Sequence, residues 1–450
     1  MEYQDFISAK HFRAVDAGFD YSVPHDWMRD YQRATTEWAL ARGRSAAFLD
    51  TGLGKTNVEL EFASAASKET GKPSLLLAPL CVSRQIQREA HKFGYDAFIS
   101  RDMESVKPGI NICNYEQASK LDPSLFGAVV LDESSILKGM QGKMRRFLTD
   151  SFRSVPYRLS ASATPAPNDF MELGTQSEFL GLMSQTEMLA TFFIHDGGDT
   201  AKWRLKGHGK RKFFEWLSTW AVIMRDPSDY GFAPLEELPP LEFEQVTIES
   251  GIKDGLFAAV AQSMTDRLKA RRDTVESRCR AAADIIQRTE GQVLVWCGLN
   301  AEGDMLQSMI KDSVQVSGAD SDEQKESRLM GFTDGSHRVL ITKPKIAGFG
   351  MNWQHCNEMV FVGLSDSWEQ FYQAVRRCWR RGQTKPVRVR IITADAEGAV
   401  VDNIKRKQGQ ADAMMTEMAK IAKNTFAGFD KATSGLRGYD AQMKAPKPVF

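Results

Sequence analysis

The chain has 450 residues, with 58 Lys plus Arg against 58 Asp plus Glu, so its formal net charge is zero when histidines are neutral. That balance excludes a uniformly basic nucleic-acid coat. Its 42% hydrophobic and 26% charged residues describe a globular chain with a sizeable core rather than a disordered one, with room for about three domains or for one large two-lobed enzyme.

In chain order, short apolar runs read as buried strands: SAAFLD (45–50), SLLLAP (74–79), GINICN (109–114), AVVLDE (128–133) and YRLSAS (157–162). Each is followed by a longer amphipathic stretch, the pattern of a parallel sheet wrapped by helices. Residues 170–232 show no clear strand and are expected to form a helical insertion. They contain KWRLKGHGKRK (202–212), with six Lys or Arg and no acid, followed by Phe213, Phe214 and Trp216. That segment is either a solvated connecting loop or a surface for nucleic acid, with Lys206, Lys210, Arg211 and Lys212 as its DNA-contacting candidates. A second series follows Pro234 to Pro240: QVLVWC (292–297), SVQVSG (313–318), RVLITK (338–343), EMVFVG (358–363) and VRVRII (387–392). The expected fold class is therefore α/β, two mainly parallel sheets flanked by helices. The expected boundaries are 1–232 for the first lobe with its insertion at about 170–232, 233–424 for the second lobe, and 425–450 for a tail. No internal period indicates a solenoid.

The six cysteines form no CxxC pair, which points to neither a zinc site nor a disulfide framework and suits a reducing compartment. No apolar run approaches the roughly 20 residues of a bilayer span, and MEYQDFISAK has no signal-peptide pattern. A cytoplasmic protein, of a bacterium or a virus-infected cell, is expected.

The strand ending at Leu49 runs straight into Thr51-Gly52-Leu53-Gly54-Lys55-Thr56, with a helix after it. That is the context of a phosphate-binding loop. Glycines let backbone N–H groups turn toward phosphates, Lys55 offers a charge to the β and γ oxygens, and Thr56 offers a hydroxyl to Mg²⁺. The first glycine of the general GxxxxGK[ST] pattern is absent, Leu49 standing in its place. Further along, a second strand delivers Asp132 and Glu133 at its C-terminal end, where ligands bind in open α/β sheets. Asp132 suits Mg²⁺ and Glu133 the polarisation of an attacking water. Ser160 to Pro165 is either a hydroxyl-rich turn before proline or a coupling element. In the second series Arg377 and Arg380 lie three apart on an expected helix and so share a face, suited to stabilising charge on a transferring phosphoryl group. Residues 376–407 hold ten Lys or Arg against three acids, and part of that charge is expected to face DNA phosphates.

This order of motifs resembles the superfamily 2 helicases and translocases, and among them the Snf2-like group, over roughly residues 25–410. Met28-Arg29-Asp30-Tyr31-Gln32 looks like the adenine-reading element, with Gln32 on the base. Asp50 to Thr56 resembles motif I, LLLAPLCVSRQIQREAHKF (75–93) motif Ia, and Asp132-Glu133-Ser134-Ser135 motif II, although DESS replaces the commoner DEAH or DEAD. Ser162-Ala163-Thr164-Pro165 resembles motif III, residues 293–306 motif IV, and Gly348-Phe349-Gly350-Met351-Asn352-Trp353 motif V. Gln373-Ala374 with Arg377, Arg380, Gly382 and Gln383 is similar to motif VI, except that Trp379 stands where histidine is usual.

The resemblance implies two RecA-like lobes, ATP and Mg²⁺ as cofactors, and DNA as partner. It also implies nucleotide contacts from Gln32, Gly52, Gly54, Lys55, Thr56 and Gly350, and DNA contacts from Asn352 and Trp353. The activity expected is that of a DNA-stimulated ATPase translocating on duplex or branched DNA. The alternatives are a 3′–5′ strand-separating helicase and the motor subunit of a restriction or defence complex. Compact motors of this type look like those of bacteria and their viruses.

Overall fold

The computed structural model describes residues 17–80, 82–138, 142–195, 203–249, 253–254, 257–258, 272–348, 351–395 and 398–426. The chain divides into two compact units, the first formed by residues up to 78, 89–234 and 414 onward, the second by 79–88 and 235–413.

The first unit is built on β1 (Arg44–Leu49), β2 (Ser74–Ala78), β3 (Ala97–Ile99), β4 (Ile110–Asn114), β5 (Ala128–Asp132) and β6 (Tyr157–Ala161). A short antiparallel pair, β7 (Phe193–His195) and β8 (Trp203–Leu205), precedes β9 (Ala221–Met224). Seven of these strands make one sheet in the order β3-β4-β2-β5-β6-β1-β9, and every pairing in it is parallel. Strands sandwiched between helices are apolar on both faces, and β2, β4 and β5 are buried along their whole length. Two helices matter most here, α1 (Asp30–Arg42) and α2 (Lys55–Thr70). The register sets Asp132 on β5 opposite Ala161 on β6. The next residues, Glu133 and Ser162, therefore leave the sheet side by side.

The segment 170–232 departs from the expected helical insertion. It contributes helices, including α3 (Lys210–Ser218), but also β9, which pairs with β1 at the edge of the main sheet. Its aromatics do not face outward. Phe213, Phe214 and Trp216 are buried in the core that also holds Phe48, Phe152 and Phe179. The hydrophobic gain of burying three large rings, of order 1.5–3 kcal/mol each, outweighs any role for them as a surface platform.

The second unit carries β10 (Leu241–Ile248), a short pair β11 (Lys253–Asp254) and β12 (Phe257–Ala258), then β13 (Val293–Cys297), β14 (Ser313–Gln315), β15 (Val339–Thr342), β16 (Glu358–Val362) and β17 (Val387–Ala394). Six of them form a sheet in the order β10-β17-β16-β13-β15-β14, again parallel throughout. Alternate residues feed opposite faces. Leu294 and Trp296 enter one core and Val293, Val295 and Cys297 the other. Both sheets are thus the helix-flanked, parallel α/β type of a RecA-like lobe. Among the described residues no helix is long and apolar enough to cross a membrane.

The strand order β10-β17-β16 also consumes charge expected to face DNA. Arg388 pairs with Glu242 at 3.3 Å and Glu358 at 3.0 Å, and Arg390 with Glu244 at 2.9 Å and Glu358 at 2.7 Å. Cross-strand neutralisation of this kind leaves neither arginine as an uncompensated phosphate contact.

Candidate functional site

The C-terminal end of β1 leads through residues 50–54 into α2. Gly52 and Gly54 adopt φ of 90° and 72°, the left-handed region that favours glycine. A Cβ on Gly54 would lie 2.3 Å from Gln32 Nε2, so the loop needs glycine there for space as well. The N-terminus of α2 has no capping side chain and no acid in its first turn. Its orphan N–H groups and the positive end of its dipole are therefore available to an anion. Lys55 reaches back over the loop, its Nζ donating to Leu49 O at 3.4 Å. Thr56, in the first turn, is half-buried.

Gln32 and Tyr31, both on α1, brace the loop from outside. Gln32 Nε2 and the Tyr31 hydroxyl donate to Leu53 O at 2.9 and 3.0 Å, and Gln32 Oε1 accepts from Arg29 N at 3.1 Å. The expected base-reading glutamine thus borders the phosphate loop, its amide engaged with that loop's backbone.

At the end of β5, Asp132 is 8% exposed and accepts, through its backbone carbonyl, the buried Tyr115 hydroxyl at 2.6 Å. Glu133 has φ of 52°, the one non-glycine left-handed residue among those described. Such backbone strain concentrates where a side chain must be aimed. Ser162 Oγ donates to Glu133 Oε2 at 3.3 Å and accepts from Thr164 N at 3.0 Å. Gln176 Nε2 donates to Ser134 O at 2.8 Å and fixes the turn that follows. Burial first, then the neighbouring Glu133, pushes the Asp132 carboxyl up to about 7, with Lys55 opposing. Burial, followed by Asp132, raises Glu59 of α2 well above the ordinary carboxylate range, and burial with the same acids raises Tyr115.

This excess of acid over base fits a divalent cation. Among the described residues no three His, Cys, Asp or Glu side chains are arranged to chelate a metal by themselves. Mg²⁺ characteristically takes one or two protein groups and completes its shell with phosphate oxygens and water. Thr56 and Asp132 are the residues that would hold it.

In the second unit the expected helix beneath the arginines stops early. The helix Trp368–Val375 ends with Arg376 as its C-cap, and residues 377–381 are turns and bends. The two arginines converge nonetheless. Arg377 Nη1 and Arg380 Nη1 donate to Met351 O at 3.2 and 3.4 Å. Arg377 is 4% exposed and also donates to the Gln373 carbonyl and side chain at 2.9 and 3.0 Å, whereas Arg380 is half-buried. Trp353, expected at DNA, is fully buried: it packs on Trp296 and Phe332 and donates from Nε1 to Thr333 Oγ1 at 3.0 Å. A wholly enclosed indole gains more from the core than a backbone contact could return, so that expectation is corrected. Its neighbour Asn352 is half-buried, with Oδ1 lacking a partner. Gly350 lies outside the described residues. At the usual histidine position, Trp379 donates from Nε1 to Pro239 O at 2.8 Å, with Arg376 stacked over its ring.

The basic segment is only partly available. Lys206 Nζ donates to Ala190 O and Thr191 O at 3.1 and 2.9 Å, satisfying carbonyls at the end of the helix Gln185–Phe192. Arg211 pairs with Glu215 at 2.7 Å and Lys210 with Glu417 at 3.6 Å, both in exposed surroundings where such pairs are weak. Lys212 is exposed. Sequence reasoning passed over Glu59 and Tyr115, which no local motif marks and which the fold brings against Asp132.

Comparison with known proteins shows local likenesses. Residues 277–382 match the helicase conserved C-terminal domain. A stretch of 97 residues is 34% identical to the bifunctional helicase and thymine dioxygenase JBP2 of Leishmania tarentolae, and equally to the proteins of that name from Leishmania infantum and Leishmania major. It covers 20% of this chain and 9% of each relative, so the chain spans about a tenth of the length of those proteins. Among solved structures, the Sulfolobus solfataricus SWI2/SNF2 ATPase core in complex with dsDNA aligns over 90% of this chain and 96% of its own, at 18% identity and a TM-score of 0.42. The helicase-domain match falls on the segment that carries motifs IV to VI. That likeness concerns this segment alone, about a quarter of the chain.

Proposed function

We propose that the protein is an ATP-dependent DNA translocase of the Snf2-like type, a DNA-stimulated ATPase that moves along or remodels duplex or branched DNA. The observation that carries the enzymatic part is the arrangement at the C-terminal ends of β1, β5 and β6: Lys55 over the phosphate loop, Asp132 beside it, and Glu133, itself in a left-handed conformation, accepting from Ser162.

In this reading the α2 N-terminus and Lys55 bind the β and γ phosphates, Gln32 contacts the base, and Thr56 and Asp132 hold Mg²⁺. The metal, when bound, neutralises charge on the phosphate oxygens. Glu133 accepts the proton of the attacking water, with Ser162 keeping its carboxylate in place. Arg377 and Arg380 are the cations for the transferring phosphoryl group. Lys210, Arg211, Lys212 and Asn352 contact the DNA backbone, which predicts weak sequence preference and strong salt dependence. Hydrolysis drives movement only if ATP changes the affinity of the motor for DNA.

Steady-state ATP hydrolysis without polymer and with single-stranded, duplex and forked DNA and RNA tests the proposal, Glu133→Gln serving as control. Stimulation chiefly by duplex or forked DNA is expected. Stimulation chiefly by single strands would favour the strand-separating helicase, and no stimulation by any polymer would overturn the DNA-dependent reading.

A further inference from the structure

Glu59 has no part in the chemistry just described, yet it is fully buried and faces Asp132, Lys55 and Glu133. It stands four residues after Lys55 on α2, so the two side chains share one helical face, and α2 packs on β5, whose end carries Asp132. Neither Glu59 Oε1 nor Oε2 meets an N–H or hydroxyl donor among the described residues. Buried polar atoms nearly always find one, because an unmet carboxylate away from water is costly. Its electrostatic neighbours are Asp132, Lys55 and Glu133, and the Asp132 carboxyl lies within hydrogen-bonding reach of it.

We propose that Glu59 is a positioning residue for the magnesium–nucleotide complex, accepting hydrogen bonds from the water shell of the metal and steering Asp132 toward it without ligating the ion. This rests on reading Lys55, Thr56 and Asp132 as the Mg²⁺–nucleotide site. Groups that act one step behind the ligands commonly change metal affinity by about 10- to 100-fold when removed, and a metal that keeps several of its waters depends on acceptors for them. A carboxyl kept only to fill the core would have no such coupling, and an apolar side chain of similar size would serve there at least as well.

The test is calorimetric titration of the full chain with ADP, in EDTA and across a Mg²⁺ series, for wild type, Glu59→Gln and Glu59→Met. The expected result is a Mg²⁺ half-saturation raised about tenfold in both variants, with metal-free ADP affinity within about twofold of wild type. Having two variants leaves the experiment readable if one of them does not fold. An unchanged Mg²⁺ dependence would overturn the proposal, as would a parallel loss of metal-free ADP binding, which would mark Glu59 as a structural support of the loop. A wild-type protein that binds no ADP even with Mg²⁺ would sink the nucleotide-site reading itself and this inference with it, and it is recognised before any variant is compared.

Discussion

Replacing Ser162 by alanine removes a single hydroxyl that joins the C-terminal ends of β5 and β6. It donates to Glu133 Oε2 at 3.3 Å and accepts from Thr164 N at 3.0 Å, in a fully buried position. A hydrogen bond to a charged acceptor contributes about 1.5–3 kcal/mol, and a 3.3 Å separation puts this one at the lower end. About 1.4 kcal/mol is a factor of ten, so kcat is expected to fall about tenfold as the carboxylate loses its aim. The phosphate loop is untouched, and ATP affinity should stay within about twofold. Depriving Thr164 N of its present acceptor carries a separate stability cost of ~1–3 kcal/mol, read as a lower melting temperature. Single-turnover hydrolysis and fluorescent-nucleotide binding, measured well below the melting transition, separate the two effects, and Ser162→Thr retains the hydroxyl and should recover most of the rate. An unchanged kcat in a protein that melts earlier would show that Ser162 only shapes the turn, and the coupling argued from the β5–β6 register would fail.

Three further outcomes follow from the geometry. Lys55→Ala takes away the ammonium that leans over the phosphate loop, and hydrolysis should fall to background with weaker nucleotide binding; wild-type turnover would remove Lys55 from the site. Neutralising Lys210, Arg211 and Lys212 together, while sparing the helix-capping Lys206, should weaken duplex binding and flatten its log–log salt slope by about 0.9 for each phosphate no longer neutralised; an unaltered slope returns the segment to solvent. In the second unit, Arg278 and Glu302 form a salt bridge at 2.6 Å with both side chains fully buried, Glu302 also accepting Gly298 N and Leu299 N at 2.7 and 2.9 Å. Arg278→Met strands that carboxylate and should cost about 3–5 kcal/mol in urea unfolding, whereas a loss below ~1 kcal/mol would mean that Glu302 is adequately held by the backbone alone.

The strands legible in the sequence were the continuous apolar ones, since SLLLA (74–78) or VLVWC (293–297) has no stable place except between two layers of helix. Those missed had weaker signals. Ala97–Ile99 has only three residues, too short to show a period. Leu241–Ile248 is an edge strand whose residues are only half-buried or exposed, and its glutamates make sense only beside Arg388 and Arg390 on β17. In 210–218 the same string KRKFFEWLS supports a basic surface and an apolar anchor. The helix resolves the two, turning Phe213, Phe214, Trp216 and Leu217 inward while Lys210, Arg211 and Lys212 stay exposed.

The candidate site divides along the same line between local and non-local information. A phosphate loop is a strand, a few glycines and a helix start, all contiguous, so Gly52, Gly54, Lys55 and Thr56 could be read directly. The Ser162–Glu133 bond depends on strand register, and the approach of Glu59 and Tyr115 to Asp132 depends on which helix face packs on β5. Neither is written in any window of the sequence. The same limit explains the pair Asn352 and Trp353, adjacent in a motif that suggested DNA contact for both, of which the core took the indole. It also explains why Arg377 and Arg380 meet at Met351 O without a helix beneath them: what brings them together is a shared backbone acceptor in the preceding motif rather than an i, i+3 spacing. Strain follows this logic as well. A glutamate at φ 52° contradicts local preference, and the fold sustains it only because β5 and β6 deliver Glu133 and Ser162 to the same point, which is where the proposed chemistry needs a fixed carboxylate.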